Sequence, residues 1–418
     1  MTNIKISAFT GMNNVKESGD LFVKKGVAEP RIILNADVTA RGRLKKREGL
    51  TKILDITGGH SLWGNGRYLL YVQGGYLYYL DNESSSTQIS AVTDPDGSKM
   101  SYAEVGDLVY MSSQWWNGVF DPDSLSVSTW GISLPGGTVL STTNGNLDAG
   151  TYRVCLTAES GGAISGNGPV AEITLSSESG ISIATRSAND VVWCTETNGH
   201  IFYKVGKTDT ITAIRNVEPL RSLFCFPPPF VKYLTHAFGR MWGAKDNRVY
   251  YSEPGHPEWW KLGTAFFEFA SPPTLIAKVK TGLFIGCQNR THFYAGTVPD
   301  EMQVSDVGAG AVPGSLTYAN NIIELGDTIS PPEKKHESVP VWISEEGVVA
   351  GNPVGRLFSL SQGKVKFSPG DEGASLYRMK DGDIQILHSL RNANVTDGMG
   401  IGDEATMEVI KNKRVISS

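Results

Sequence analysis

Short apolar runs recur along the chain, each broken by a glycine or polar turn and answered by a second apolar run. GRYLLYVQGGYLYYL (66–80), GDLVYMSSQWWNGVFD (106–121), GRMWGAKDNRVYYS (239–252) and GLFIGCQNRTHFY (282–294) share this pattern. Weaker copies begin at Gly347 (GVVAGNPVGRLFSL) and Gly382 (GDIQILHSL). A β-branched and aromatic run, a turn rich in Gly, Asn and Asp, and a second such run predict a β-hairpin. Six hairpins are therefore expected.

Their spacing predicts how the hairpins are used. The starting glycines at 66 and 106, at 239 and 282, and at 347 and 382 fall about 40 residues apart, the length of a four-stranded propeller blade. One such blade cannot bury both its faces, so blades must stack around an axis. The expectation is an all-β chain, a β-propeller of about six blades. A β-sandwich built from several hairpins is the competing arrangement.

The interval from 106 to 239 is too long for one blade. Residues 133–229 are rich in Ser, Thr and Gly and hold the alternating runs AGTYRVCLTAESGGAISGNGPVAEITL (149–175) and SANDVVWCTETNGHIFYKVGK (187–207). They predict an inserted sandwich of immunoglobulin or fibronectin type III kind, with Trp193 and Tyr203 in its core. Phe226-Pro227-Pro228-Pro229-Phe230 is a stiff extended connector back into the propeller. The expected organisation is N-terminal strands and arm over 1–50, first blades over 51–132, the insert over 133–229, and the remaining blades with closure over 230–418.

In the head, ARGRLKKREGL places Arg41, Arg43, Lys45 and Arg47 at alternate positions. On a strand these side chains share one face and make a basic edge. Such an edge is either a solvated guard against aggregation or an ionic contact with a neighbouring subunit or DNA phosphates.

Composition narrows the classes. Forty-seven glycines, 24 tyrosines and tryptophans together, and only 19% charged residues suit short strands and tight turns. A net charge of −5 gives no general attraction to nucleic acid or to an anionic membrane. Cys155, Cys194, Cys225 and Cys287 lack metal-ligand spacing and are expected to be buried thiols, consistent with assembly in a reducing cytoplasm. The N-terminus lacks the pattern of a secretory signal, and no apolar run is long enough for a membrane helix. A protein soluble when made is expected.

Catalytic motifs are not evident. The seven histidines (60, 200, 236, 256, 292, 336, 388) show no local metal spacing, and neither a nucleophile elbow nor a phosphate loop occurs. GAISGNG (162–168) lies between strands and reads as a hairpin loop. A propeller glycosidase would need paired carboxylates, for which Asp107, Asp121, Asp246, Glu253 and Asp383 are the candidates. SVSTWG (126–131) only partly resembles a sialidase turn and lacks its aspartate. The pairs Trp115–Trp116 and Trp259–Trp260 suit packing, a subunit interface or stacking on sugar rings. No enzyme activity, cofactor or metal is expected.

The head and the hairpins together resemble tail nozzle, hub and packaged-DNA stabilisation proteins of short-tailed bacteriophages. The resemblance rests on a Gly-x-Asn start (Gly11, Asn13) and a strand motif filled by Asn35, Asp37, Gly42, Leu44, Arg47 and Gly49. It also rests on a later pattern filled by Gly239, Arg240, Ser252, Pro257 and Trp259. It implies a virion structural protein, assembled in the host cytoplasm, forming a homo-oligomeric ring, expected to be a hexamer, beneath a portal-adaptor channel. Implied partners are the adaptor proteins and tail fibres or a tail-tip protein, with DNA passing through without sequence-specific binding. A glycan-binding propeller, or less readily a propeller glycosidase, is the alternative.

Overall fold

The computed structural model describes residues 6–16, 18–24, 26–31, 33, 36–38, 41–46, 54–81, 85–320, 338–361, 364–365, 370–380, 383–393 and 404–411. Among them the regular structure is strand, apart from two short 3-10 turns at Ser18–Leu21 and Pro299–Glu301. The fold is all-β and of β-propeller type. Among the described residues six sheets are antiparallel meanders whose strands pair in chain order. The expected hairpins from Gly66, Gly106, Gly239, Gly282 and Gly347 each lie in a sheet of their own, whereas the run after Gly382 is one continuous strand, Asp383–Arg391, of the sixth.

One compact unit, Ile56–Glu268, holds three meanders and the insert. The first blade is His60–Gly64, Leu69–Gln73, Tyr76–Leu80 and Ser86–Ala91; the second is Ser101–Val105, Leu108–Ser112, Asn117–Asp121 and Ser126–Ser128. The third is Lys232–Ala237, Arg240–Lys245, Arg248–Glu253 and His256–Trp260, with Phe266–Glu268 also paired to its third strand.

The second blade shows why both faces are apolar. Along a strand successive side chains point to opposite faces. Val109, Met111 and Phe120 join Leu70, Val72 and Leu77 in a core shared with the first blade. Their neighbours Leu108, Tyr110 and Val119 join Val231, Leu234, Met241 and Trp260 in a core shared with the third. A sheet buried on both faces reads as a continuous apolar run, which is what LVYM at 108–111 is.

The other unit joins Met1–Asp55 to Phe269–Ser418. Its blades are Pro273–Val279, Gly282–Cys287, Arg290–Ala295 and Gln303–Ala309; then Thr317–Ala319, Val339–Ser344, Gly347–Gly351 and Leu357–Ser359; then Glu372–Lys380, Asp383–Arg391 and Glu404–Lys411. Alternation recurs here. Trp342 and Val349 pack with Phe284 and Phe293, while Val341, Ile343, Val348 and Ala350 pack with Ile386 and Leu390.

The hairpin starting at Gly347 is out of phase with the others. Gly66, Gly106 and Gly239 precede the second strand of their sheets and Gly282 opens it, whereas Gly347 opens the third, so 347 and 382 are not equivalent points of the repeat. Gly382 itself lies outside the described residues.

The insert forms two sheets. Val139–Leu147, Ser179–Ala184 and Thr210–Ile211 make one; Ala163–Asn167, Gly150–Ser160, Asp190–Thr195 and Phe202–Gly206, with Ala171–Leu175 off Gly150–Ser160, make the other. Leu147, Ile181, Ile183 and Ile211 from the first meet Tyr152, Val154, Leu156, Val192 and Cys194 from the second in one core. The Tyr152 hydroxyl donates to the Asp148 carbonyl at 2.9 Å, a corner device of immunoglobulin-like sandwiches. Trp193 is buried as expected, whereas Tyr203 is half-buried.

Candidate functional site

The basic head motif divides differently from the sequence expectation. Ala36–Val38 pairs with Leu44–Lys46, so only Lys45 of the basic set lies on a described strand, opposite Asp37. Arg41 and Arg43 occupy the connection between those strands, and Arg47 lies outside the described residues. Alternation therefore does not put the described three on one strand face, because the chain turns through Gly42. That glycine has φ +71°, and its carbonyl accepts from the Phe9 amide at 2.7 Å. A Cβ there would come within 2.9 Å of the Phe9 carbonyl oxygen. Arg41, Arg43 and Lys45 are all exposed.

The Gly-x-Asn start and the segment near residue 29 form a buried polar knot. The Glu29 carboxylate, 4% exposed, accepts from Lys16 Nζ at 2.8 Å, Lys364 Nζ at 3.0 Å and Asn13 Nδ2 at 2.9 Å. The Asn14 amide donates to the Lys364 carbonyl at 3.0 Å. Burial alone would raise the acid's pKa; the bonds from Lys16, Lys364 and Asn13 outweigh it and hold Glu29 at about 2.

The tryptophans divide. Trp259 and Trp260 are buried, Trp116 is half-buried against the core shared by the first two blades, and Trp115 is 45% exposed. The residues of the Gly239–Trp259 pattern hold the third blade together. Phe238 (φ +54°) and Gly239 (φ +69°) form the turn into Arg240–Lys245, with both left-handed residues that a tight hairpin needs. The Arg240 guanidinium donates to the Ser252 carbonyl at 2.7 Å and lies 5.5 Å from the Tyr251 ring centre. The Ser252 hydroxyl accepts from the Met241 amide at 3.0 Å. The Pro257 carbonyl takes the indole N–H groups of Trp130 at 3.1 Å and Trp260 at 2.7 Å. Trp259 stacks on His256 at 3.7 Å and donates to the Ile164 carbonyl of the insert at 2.9 Å.

Two of the candidate carboxylates have local partners. Asp121 accepts from the Ser124 hydroxyl at 2.8 Å and the Asp123 amide at 2.9 Å, which hold it below the usual carboxylate range. Glu253 pairs with Lys261 at 3.2 Å. Asp107 and Asp246 sit in turns, and Asp383 opens a strand. Among the described residues no group of His, Cys, Asp and Glu could hold a metal ion.

All four cysteines are free and buried. Burial pushes the thiols of Cys155 and Cys194 up to about 12 and those of Cys225 and Cys287 up to about 11. Since the thiolate is the nucleophile, iodoacetamide at pH 8 should modify none of them in the folded protein and all four after denaturation. Mass spectrometry reads the difference, and rapid native modification would contradict this packing.

One constellation escaped the sequence reading. His60 Nε2 lies 2.8 Å from Asp94 Oδ2, and His60 Nδ1 lies 2.8 Å from Ser61 Oγ. Ser61 Oγ in turn accepts from the Met100 amide at 2.8 Å. Ser61 has φ +58° and sits in a β-bulge, since His60 pairs with Val72 while Trp63 pairs with Leu70. Local motifs could not reveal it, because Asp94 and Met100 arrive on the connector between the first and second blades.

No family model matches the sequence, and no curated protein matches it. Solved structures of similar fold include BBS1N in complex with ARL6DN, at 10% identity over 82% of this chain and 93% of that one, with a TM-score of 0.32. Virginiamycin B lyase from Staphylococcus aureus is similar at 11% identity over 84% and 95%, with a TM-score of 0.31. Apo AztD from Citrobacter koseri is similar at 8% identity over 72% and 71%, with a TM-score of 0.29. Likenesses this distant carry nothing about what this chain does.

Proposed function

We propose that the protein is a structural component of a bacteriophage tail, a nozzle or hub subunit that assembles into a closed ring, of six copies, beneath a portal-adaptor channel. In this role it retains packaged DNA and conducts it during ejection, with a neutral to acidic lumen past which DNA slides, because a basic wall would bind phosphate by phosphate. The observation that carries the reading is the paired sequence resemblance, in the head and at Gly239–Trp259. The physical work of those residues is compatible with it: Asn13 belongs to the knot around Glu29, and Arg240, Ser252 and Pro257 tie the third blade together. Adaptor proteins, tail fibres and the virion location belong to the same proposal, and the ring role itself requires no turnover.

Arg41, Arg43, Lys45 and Arg47 are the proposed subunit or adaptor contact, where charges set register more than affinity. Replacing all four with serine should give folded protein that fails to join the particle, leaving heads that lose their DNA. Particles that keep both the protein and the DNA would show that these charges only solvate the head.

A second reading, glycan binding, is favoured by one observation. Trp115 is half exposed beside Asp96, which accepts from its indole, from Gln114 Nε2 at 2.6 Å and from the Ser98 amide at 3.1 Å. An aromatic face rimmed by a carboxylate and an amide suits a sugar ring. A glycan array bound by the wild type and lost on Trp115→Ala would select this reading.

A further inference from the structure

We propose that Ser61 is a nucleophile, activated by His60 and Asp94, that takes the acyl group of a carboxylic ester. The hydrogen-bond directions follow from the inventory of donors and acceptors. An ionised carboxylate only accepts, so His60 Nε2 carries the proton that faces Asp94 Oδ2. In the neutral imidazole the other ring nitrogen is then bare, and the Ser61 hydroxyl donates to it at 2.8 Å. The remaining lone pairs of Ser61 Oγ accept the Met100 N–H. A serine donating to an imidazole that is oriented by a carboxylate is the arrangement that activates an alcohol, whichever fold or chain order supplies it. Here the imidazole nitrogens exchange places relative to the more familiar order, with no change in the chemistry.

The burial suits the task. Asp94 is 10% exposed and His60 21%. The second oxygen, Asp94 Oδ1, is buried and has no hydrogen-bond partner among the described residues. A carboxylate left with an unused oxygen keeps more of its charge for the imidazolium that forms when His60 takes the serine proton.

The bulge gives an internal comparison. The third blade has the same irregularity in its first strand: Lys232 pairs with Ala244, Thr235 pairs with Trp242, and Tyr233 takes φ +55°. The left-handed residue is therefore a property of the blade, and the first blade places a serine there, directly after a histidine. A bulge re-aims the side chain it carries. In the first blade it aims that side chain at an acid–base pair.

The step balances. Ser61 Oγ forms a bond to the ester carbonyl carbon as its proton passes to His60 Nδ1. The bond from that carbon to the alcohol oxygen then breaks, and His60 returns the proton to the departing alcohol. Acyl-Ser61 and a free alcohol remain. The Met100 N–H, 2.8 Å from Ser61 Oγ, fixes the position of the attacking oxygen, while the negative charge gathers on the ester carbonyl oxygen.

The test is covalent labelling of the full chain with an alkyl fluorophosphonate. In it the Oγ–P bond forms, the P–F bond breaks, and fluoride leaves with the serine proton passing through His60 to water. One adduct per chain on the peptide containing Ser61 is expected. Asp94→Asn should slow labelling about 100-fold or more, through the wrong histidine tautomer. Ser61→Gly, which accommodates the left-handed backbone, should abolish it while leaving the circular dichroism unchanged. A wild-type chain that gains no adduct at Ser61, or an Asp94→Asn chain labelled at the wild-type rate, would overturn the proposal and reduce the constellation to a staple for the connector. The ring reading does not depend on the result, since labelling is read on the isolated chain.

Discussion

Replacing Trp260 with alanine should destabilise the Ile56–Glu268 unit by about 3–5 kcal/mol, the usual cost of truncating a fully buried aromatic. Trp260 has no exposure and lies in the core shared by the second and third blades, with Val119, Trp130, Val231 and Met241 around it. Its ring meets Trp130 edge-on, 6.0 Å between centres, and its N–H donates to Pro257. Alanine would leave a void bordered by two sheets, which cannot both close on it. Trp260→Phe should cost less, because it keeps most of the apolar area and the Pro257 carbonyl still has the Trp130 N–H. Urea unfolding followed by circular dichroism measures the loss, with Val217→Ala as the control at an 82% exposed position. Equal midpoints for Trp260→Ala and that control would contradict the packing.

Acid should weaken the other unit through Glu29, and the sign follows from linkage. The folded carboxyl sits at about 2, below its ordinary 4.5, because Lys16, Lys364 and Asn13 hold its charged form against the penalty of burial. Its contribution is fully present above pH 4.5 and is lost as the pH falls towards 2, since the unfolded chain takes up the proton first. At about 1.4 kcal/mol per pKa unit, the contribution at neutral pH is roughly 3 kcal/mol. Glu29→Gln should be less stable than the wild type by about that amount at pH 7, and the two should converge as the pH falls. His388, fully buried and pushed down by burial to about 4, adds a loss below pH 6.5 in both proteins and so cancels from the difference. A gap between the two that stays constant from pH 7 to pH 2 would show that Glu29 acts through shape alone.

The blades were legible because their chemistry is local. A run such as LVYM at 108–111 and a glycine turn declare a two-faced strand within a few residues. The insert was legible for the same reason, through the alternation at Tyr152, Val154 and Leu156. What the sequence hid depends on residues that only the fold brings together. Glu29 meets Lys364 from the far end of the chain. Asp94 reaches His60 across the whole first blade. Phase was also hidden: Gly347 resembles the other starting glycines, and only strand pairing shows that it opens a third strand. The basic head misled for a physical reason, since alternation of charge implies a common face only where the chain is extended, and at Gly42 it turns.

The central claim is that the chain is a ring-forming scaffold. It is tested most directly by electron microscopy of the purified protein, alone and mixed with portal-adaptor complexes, with mass measured on the same samples. The account predicts closed rings with sixfold symmetry, each subunit carrying a propeller-like body. A chain that remains a monomer in both samples, at every concentration, would contradict it.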